Sequence, residues 1–115
     1  MNYKIYHNPR CSKSREGLAI LAAFTNDFEI VDYLKNPPTK KEIEELLSKL
    51  KMEPIALVRT NESIWKETYK GKTLNDYEII KALSTYPKLI ERPIIIKENN
   101  AIIGRPTEII SKFLQ

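Results

Sequence analysis

A small α/β fold, with a mixed four-stranded sheet and an inserted helical block, is predicted by three observations. Near the start, the β-forming run Tyr3-Lys4-Ile5-Tyr6 precedes apolar residues at helical spacing and then a second β-like run, Phe28 to Tyr33. The middle of the chain carries only helical periodicity. Near the end, the runs Pro93-Ile94-Ile95-Ile96-Lys97 and Ala101-Ile102-Ile103 flank the polar stretch Glu98-Asn99-Asn100, the pattern of an antiparallel hairpin. The order is β-α-β, helical block, β-β-α, and nothing in it resembles a linker or repeat. One domain over residues 1–115 is therefore expected.

The elements follow from local chemistry. His7-Asn8-Pro9 breaks the first strand, and Leu18, Leu21, Ala22 and Phe24 then place a helix that starts at Ser12, beside Cys11. The second strand closes a βαβ unit, so the two strands should be parallel. Asn36-Pro37-Pro38 ends it. Thr39 with Glu42 three residues on is a capping box, and Ile43, Leu46, Leu47 and Leu50 form one face of the helix that follows, through Met52. Shorter helical pieces are expected at Ile55–Val58, Ser63–Tyr69 and Asn75–Tyr86, the last with Tyr77, Ile80 and Leu83 on one face. Pro106 is read as the first residue of a final helix burying Ile109, Ile110, Phe113 and Leu114. This order matches a thioredoxin-like layout.

Composition narrows the function. The 115 residues are 42% hydrophobic and 30% charged, as in globular chains, and the longest apolar run, Leu18–Phe24, has seven residues, well short of the ~20 of a membrane span. A secretory leader is not evident at the N-terminus, so a cytoplasmic protein without a membrane partner is expected. The net charge of +4 is spread in pairs such as Lys40-Lys41, which argues against nucleic acid and suits a small anion. Trp65 and the tyrosines are spaced for packing rather than for stacking on bases.

The chain has one cysteine, Cys11, so no internal disulfide is possible. Its predicted place at a helix N-terminus, with Arg10, Lys13 and Arg15 nearby, favours the thiolate, and the hydroxyls of Ser12 and Ser14 are candidate donors to the sulfur or to an anion. His7, the only histidine, is placed to orient the loop or to help stabilise the thiolate. One Cys and one His fall short of a metal's ligand set, so no metal site is expected. A phosphatase loop requires arginine six residues after the cysteine, where Gly17 stands. A dithiol mechanism requires a second cysteine where Ser14 stands. A redox enzyme built on this motif, Cys-x-x-Ser, would borrow its resolving thiol.

Arg59, Arg92 and Arg105 each stand beside a predicted structural break, where sites are commonly built. Guanidinium forks pair with tetrahedral oxyanions, so arginines gathered around a thiolate would bind a phosphate-like ion and offset its repulsion from the sulfur. Pro93, after Arg92, is a candidate for a cis peptide at a strand entrance.

Five ordered motifs carry a resemblance over the whole chain: Ile5-Tyr6-His7-Asn8-Pro9-Arg10-Cys11-Ser12-Lys13-Ser14-Arg15, Tyr33-Leu34-Lys35-Asn36-Pro37-Pro38, Leu57-Val58-Arg59-Thr60-Asn61, Glu91-Arg92-Pro93-Ile94 and Gly104-Arg105-Pro106. The chain resembles the glutathione/glutaredoxin-coupled arsenate reductases, small thioredoxin-fold enzymes. The resemblance implies an arsenate reductase with Cys11 as nucleophile, His7 tuning it, and Arg59, Arg92 and Arg105 holding the oxyanion; Ser14, from its hydroxyl near the cysteine, is added as a substrate-binding candidate. It implies no bound cofactor, glutathione as co-substrate and glutaredoxin as partner. Ser12-Lys13 stands where such enzymes often carry Gly-Thr. Two other functions share the fold: a glutathione-dependent thiol oxidoreductase acting on another substrate, and an Spx-type regulator that binds RNA polymerase.

Overall fold

The computed structural model describes residues 2–115. In chain order they form β1 (Tyr3–Tyr6), α1 (Ser12–Phe24), β2 (Phe28–Val31), α2 (Lys40–Leu50), α3 (Ser63–Thr68), α4 (Asp76–Thr85), β3 (Ile94–Lys97), β4 (Asn100–Ile103) and α5 (Glu108–Leu114). Single 3-10 turns at Pro54–Leu57 and Pro87–Leu89 flank α3 and α4. Two compact units result, one of residues up to Asn36 together with Arg92–Gln115, the other of Pro37–Glu91.

The first unit holds the sheet, in the order β2-β1-β3-β4. β2 is parallel to β1, Tyr3 opposite Phe28, as the βαβ reading expects, and β3 is antiparallel to both β1 and β4. The sheet is thus mixed and four-stranded, the predicted class. Tyr3, Ile5 and Ile95 from the strands pack with Leu21 of α1 and Ile110 and Leu114 of α5 into one buried cluster. β2 stops at Val31, short of the expected Tyr33, because Asp32 opens a turn: its carbonyl accepts the N–H of Asn36. Tyr33 is instead fully buried and stacked on Tyr6, ring centroids 5.8 Å apart.

α1 comes close to the entrance of β3 because Gly17 has no side chain. A Cβ there would lie 2.8 Å from Cγ of the buried Pro93 ring and 3.3 Å from Cδ1 of Ile110. In an ordinary helix interior Gly→Ala gains about 1 kcal/mol. Here overpacking against a rigid ring outweighs that gain, so Gly17→Ala is expected to destabilise the protein by about 1–3 kcal/mol. A thermal melt reads this as a lower Tm, and a raised Tm would show that Pro93 yields.

The last helix departs from expectation. It starts at Glu108, and Pro106 lies outside it, after a cis Arg105–Pro106 peptide. The Ile109 and Ile110 N–H groups bond to the carbonyls of Pro106 and Thr107, a tight entry turn. Ile110 and Leu114, four residues apart, take the buried face, Phe113 is half-buried, and Ile109, one position round the helix, is 38% exposed.

The second unit is the inserted helical block. Thr39 and Glu42 form the expected capping box, with Glu42 N–H to Thr39 Oγ1 at 3.1 Å and Thr39 N–H to Glu42 Oε1 at 2.9 Å. Asn75 and Glu78 repeat the device at the start of α4. α2 ends at Leu50, before Met52, where Lys51 turns into the left-handed region at φ 56°. Ile43, Leu46 and Leu47 of α2 and Ile79, Ile80, Ala82 and Leu83 of α4 are buried. Tyr77 does not share that face: it is exposed, and its hydroxyl accepts a 2.9 Å hydrogen bond from Lys40 Nζ. A single antiparallel bridge, Val58 to Ile90, ties the two ends of the block's second half together.

Candidate active site

The strand register sets where the site lies in the first unit. Tyr6 pairs with Val31 and Ile94, and Ile94 with Ile103. His7, Asp32, Pro93 and Gly104 therefore leave the sheet at the same end, and the Gly104 N–H bonds back to the Pro93 carbonyl at 2.8 Å. The loop after β1 is folded by its own polar atoms. Asn8 accepts the Cys11 N–H on its carbonyl and the Arg10 N–H on Oδ1, both at 3.0 Å, an Asx-type turn. Arg15 closes the loop by donating from Nη1 to the Pro9 carbonyl.

Cys11 is the residue before the first turn of α1, extended at φ −97° and ψ 123° and half-buried. Burial pushes its thiol pKa up. The Ser14 N–H, then the hydrogen bond and charge of the Arg92 guanidinium, then the Lys13 N–H outweigh that, and the thiol sits below its ordinary value. The N–H groups act on the sulfur electrostatically, since Cys11 closes no side-chain cap bond. The Arg92–Pro93 peptide that delivers the guanidinium is cis, as the strand-entrance reading anticipates.

Behind the sulfur lies a buried polar network. Ser14 is fully buried. Its Oγ lies 2.8 Å from His7 Nδ1 and accepts the Asn8 N–H at 2.9 Å. The hydroxyl thus faces His7 and Asn8, and the group Ser14 presents to Cys11 is its backbone N–H. Burial lowers the His7 pKa, against the raising effects of the Ser14 hydrogen bond and the Asp32 charge, with Arg15 adding to the lowering. Ser14→Ala would leave the buried Asn8 N–H without its acceptor and His7 without its anchor. A loss of about 1–3 kcal/mol is expected, read in a denaturant melt; an unchanged midpoint would mean that water replaces the hydroxyl.

Of the other arginines, Arg105 is exposed at the end of β4, its N–H bonded to the Ile103 carbonyl, on the same sheet end as His7 and Arg92. Arg59 belongs to the second unit, where its Nε lies 3.4 Å from Glu62 Oε2 and its Nη1 3.3 Å from Glu91 Oε1. Among the described residues, no three His, Cys, Asp or Glu side chains are grouped as a metal ion would require, and no helix is long and apolar enough to cross a membrane.

Residues 6–113 match the ArsC family. The chain belongs to the ArsC family. Among ArsC relatives, an arsenate reductase of Neisseria meningitidis is 35% identical, the match covering 96% of this chain and 97% of the relative. The YfgD protein of Escherichia coli is 42% identical, over 91% of this chain and 90% of its own. The solved structure of an arsenate reductase from Vibrio cholerae superposes with a TM-score of 0.92 at 38% identity, covering 97% of both chains. The ArsC fold is thioredoxin-like, which agrees with the class read from the sequence.

In this ArsC chain the structure brings together Cys11, His7, Ser14 and Arg92 of the residues singled out from sequence. Asn8, Glu62 and Glu91 were missed. Asn8 had a usable signal, since Asn before Pro favours a loop that bonds its own backbone. Glu62 and Glu91 had none, because their role is defined only by the arginine they meet.

Proposed function

We propose that this ArsC-family chain reduces arsenate to arsenite, with Cys11 as nucleophile and with glutathione and glutaredoxin as reductants. The observation that carries the reading is the sulfur's environment: a thiol held below its ordinary pKa by two backbone N–H groups and by the Arg92 guanidinium. A thiolate beside a fixed guanidinium suits attack on an anion, because the cation offsets repulsion between the two negative charges. The names of the Neisseria and Vibrio relatives add the substrate.

In the proposed sequence, the Cys11 thiolate displaces hydroxide from arsenate, and an S–As bond forms. A glutathione thiolate then attacks the Cys11 sulfur. An S–S bond forms, the S–As bond breaks, and its electron pair reduces As(V) to As(III), released as arsenite. A glutaredoxin thiolate finally attacks the glutathione sulfur of the mixed disulfide and returns Cys11 as the thiolate. The chain's single cysteine leaves no internal thiol for that last step. Arg92 steadies the oxyanion and the leaving oxygen, and Arg59 and Arg105 are proposed as further oxyanion ligands.

The test is arsenate-dependent NADPH oxidation in the presence of glutathione, glutaredoxin and glutathione reductase. Omitting glutaredoxin should stop turnover and leave one glutathione on Cys11, visible by mass spectrometry. Absence of turnover in the complete system would reject the function. Full turnover without glutaredoxin would reject the partner.

A further inference from the structure

The guanidinium of Arg59 is held between two carboxylates, Glu62 at Nε and Glu91 at Nη1, all three side chains only 20–28% exposed. We propose that Glu62 and Glu91 are positioning residues for oxyanion recognition, fixing the plane of the Arg59 fork so that its remaining N–H groups meet a tetrahedral anion already oriented. The proposal rests on the reading of Arg59 as an oxyanion ligand given above.

Both carboxylates are placed by the backbone rather than by Arg59. The Arg59 N–H bonds to the Leu89 carbonyl at 2.7 Å, and the Glu91 N–H bonds to the Leu57 carbonyl at 2.9 Å. With the Val58–Ile90 bridge between them, these bonds pin Glu91 across from the segment that carries Arg59. Glu62 is brought round by a turn in which its N–H bonds to the Arg59 carbonyl at 3.1 Å. It precedes α3, yet its side chain caps nothing there and lies against Arg59 instead. The two contacts occupy Nε and one hydrogen of Nη1, and Nη2 carries two further donors. An arginine side chain left free loses much rotamer freedom on gripping an anion. One already held in plane loses less and binds more tightly for the same hydrogen bonds.

Steady-state kinetics with arsenate on the full chain, and sulfate titration by calorimetry, test this on Glu62→Ala/Glu91→Ala and on Glu62→Gln/Glu91→Gln. The alanine pair is expected to raise the arsenate KM and weaken sulfate binding by about tenfold, the worth of hydrogen bonds to a charged group, with kcat within twofold. The glutamine pair keeps the acceptor oxygens and should stay within about threefold of wild type. If the doubly substituted alanine variant melts out, Glu91→Ala alone is measured against Glu91→Gln. Unchanged or tighter binding in the alanine variants would overturn the proposal, as would equal losses in the glutamine pair, which would make charge rather than geometry the cause. A wild type that neither turns over arsenate nor binds sulfate would overturn the functional reading, and this inference with it. A wild type that does both, with unaffected alanine variants, would overturn this inference alone.

Discussion

Cys11→Ser is expected to lower arsenate-dependent NADPH oxidation by at least about a thousandfold, to the background of the coupling enzymes. The substitution is nearly isosteric and the site half-exposed, so the Ser14 and Lys13 N–H groups and the Arg92 guanidinium should stay in place around an oxygen in the position of the sulfur. That oxygen does not ionise near neutrality and forms no disulfide, so both the adduct and the mixed disulfide are lost at one stroke. Circular dichroism and a Tm within a few degrees of wild type would confirm that chemistry, not folding, had been removed. Undiminished turnover would show that another group carries the reaction.

The next largest effect is expected at Arg92. Its hydrogen bond and charge are among the influences that hold the Cys11 thiol below the ordinary value, so Arg92→Ala removes both and the pKa rises. The sign is readable from iodoacetamide labelling, whose rate follows the thiolate fraction. In wild type the rate climbs through a midpoint lowered from the thiol's ordinary value. In Arg92→Ala the midpoint moves up and the rate near pH 7 falls. With arsenate the loss compounds, because the same guanidinium would balance the oxyanion, and kcat/KM should fall about 10²- to 10³-fold. Arg92→Lys should recover part of the charge effect and little of the fork's geometry. A labelling midpoint that stayed put in Arg92→Ala would remove Arg92 from the sulfur's electrostatics.

Ser14 shows how a residue can be found for one reason and used for another. Its hydroxyl near Cys11 makes it a candidate donor to the sulfur or an anion, whereas in the structure that hydroxyl lies against His7 and Asn8 and the group that faces Cys11 is the backbone N–H. Helix geometry explains this, since the third residue of the first turn points its N–H back at the residue before the helix, while its side chain turns inward. The final helix shows the converse. Pro before apolar residues matched a helix start, but the entry turn through Thr107 delayed the helix to Glu108 and rotated Ile109 outward.

What the sequence by itself determined is local: strands where β-formers alternate, the capped start of α2, a cysteine at the mouth of α1 and a motif that offers no second thiol. These depend on neighbours a few residues apart, and periodicity and turn chemistry report such neighbours directly. Tertiary structure alone decided which distant groups meet. Strand register carries Arg92 to Cys11, and one antiparallel bridge sets Glu91 against Arg59. No one-dimensional pattern encodes those pairings, because the energy that selects the first comes from burying Ile5, Ile95, Leu21 and Ile110 together and that which selects the second from burying Leu57, Val58, Leu89 and Ile90, and in each unit the charged side chains are carried into place with the apolar ones.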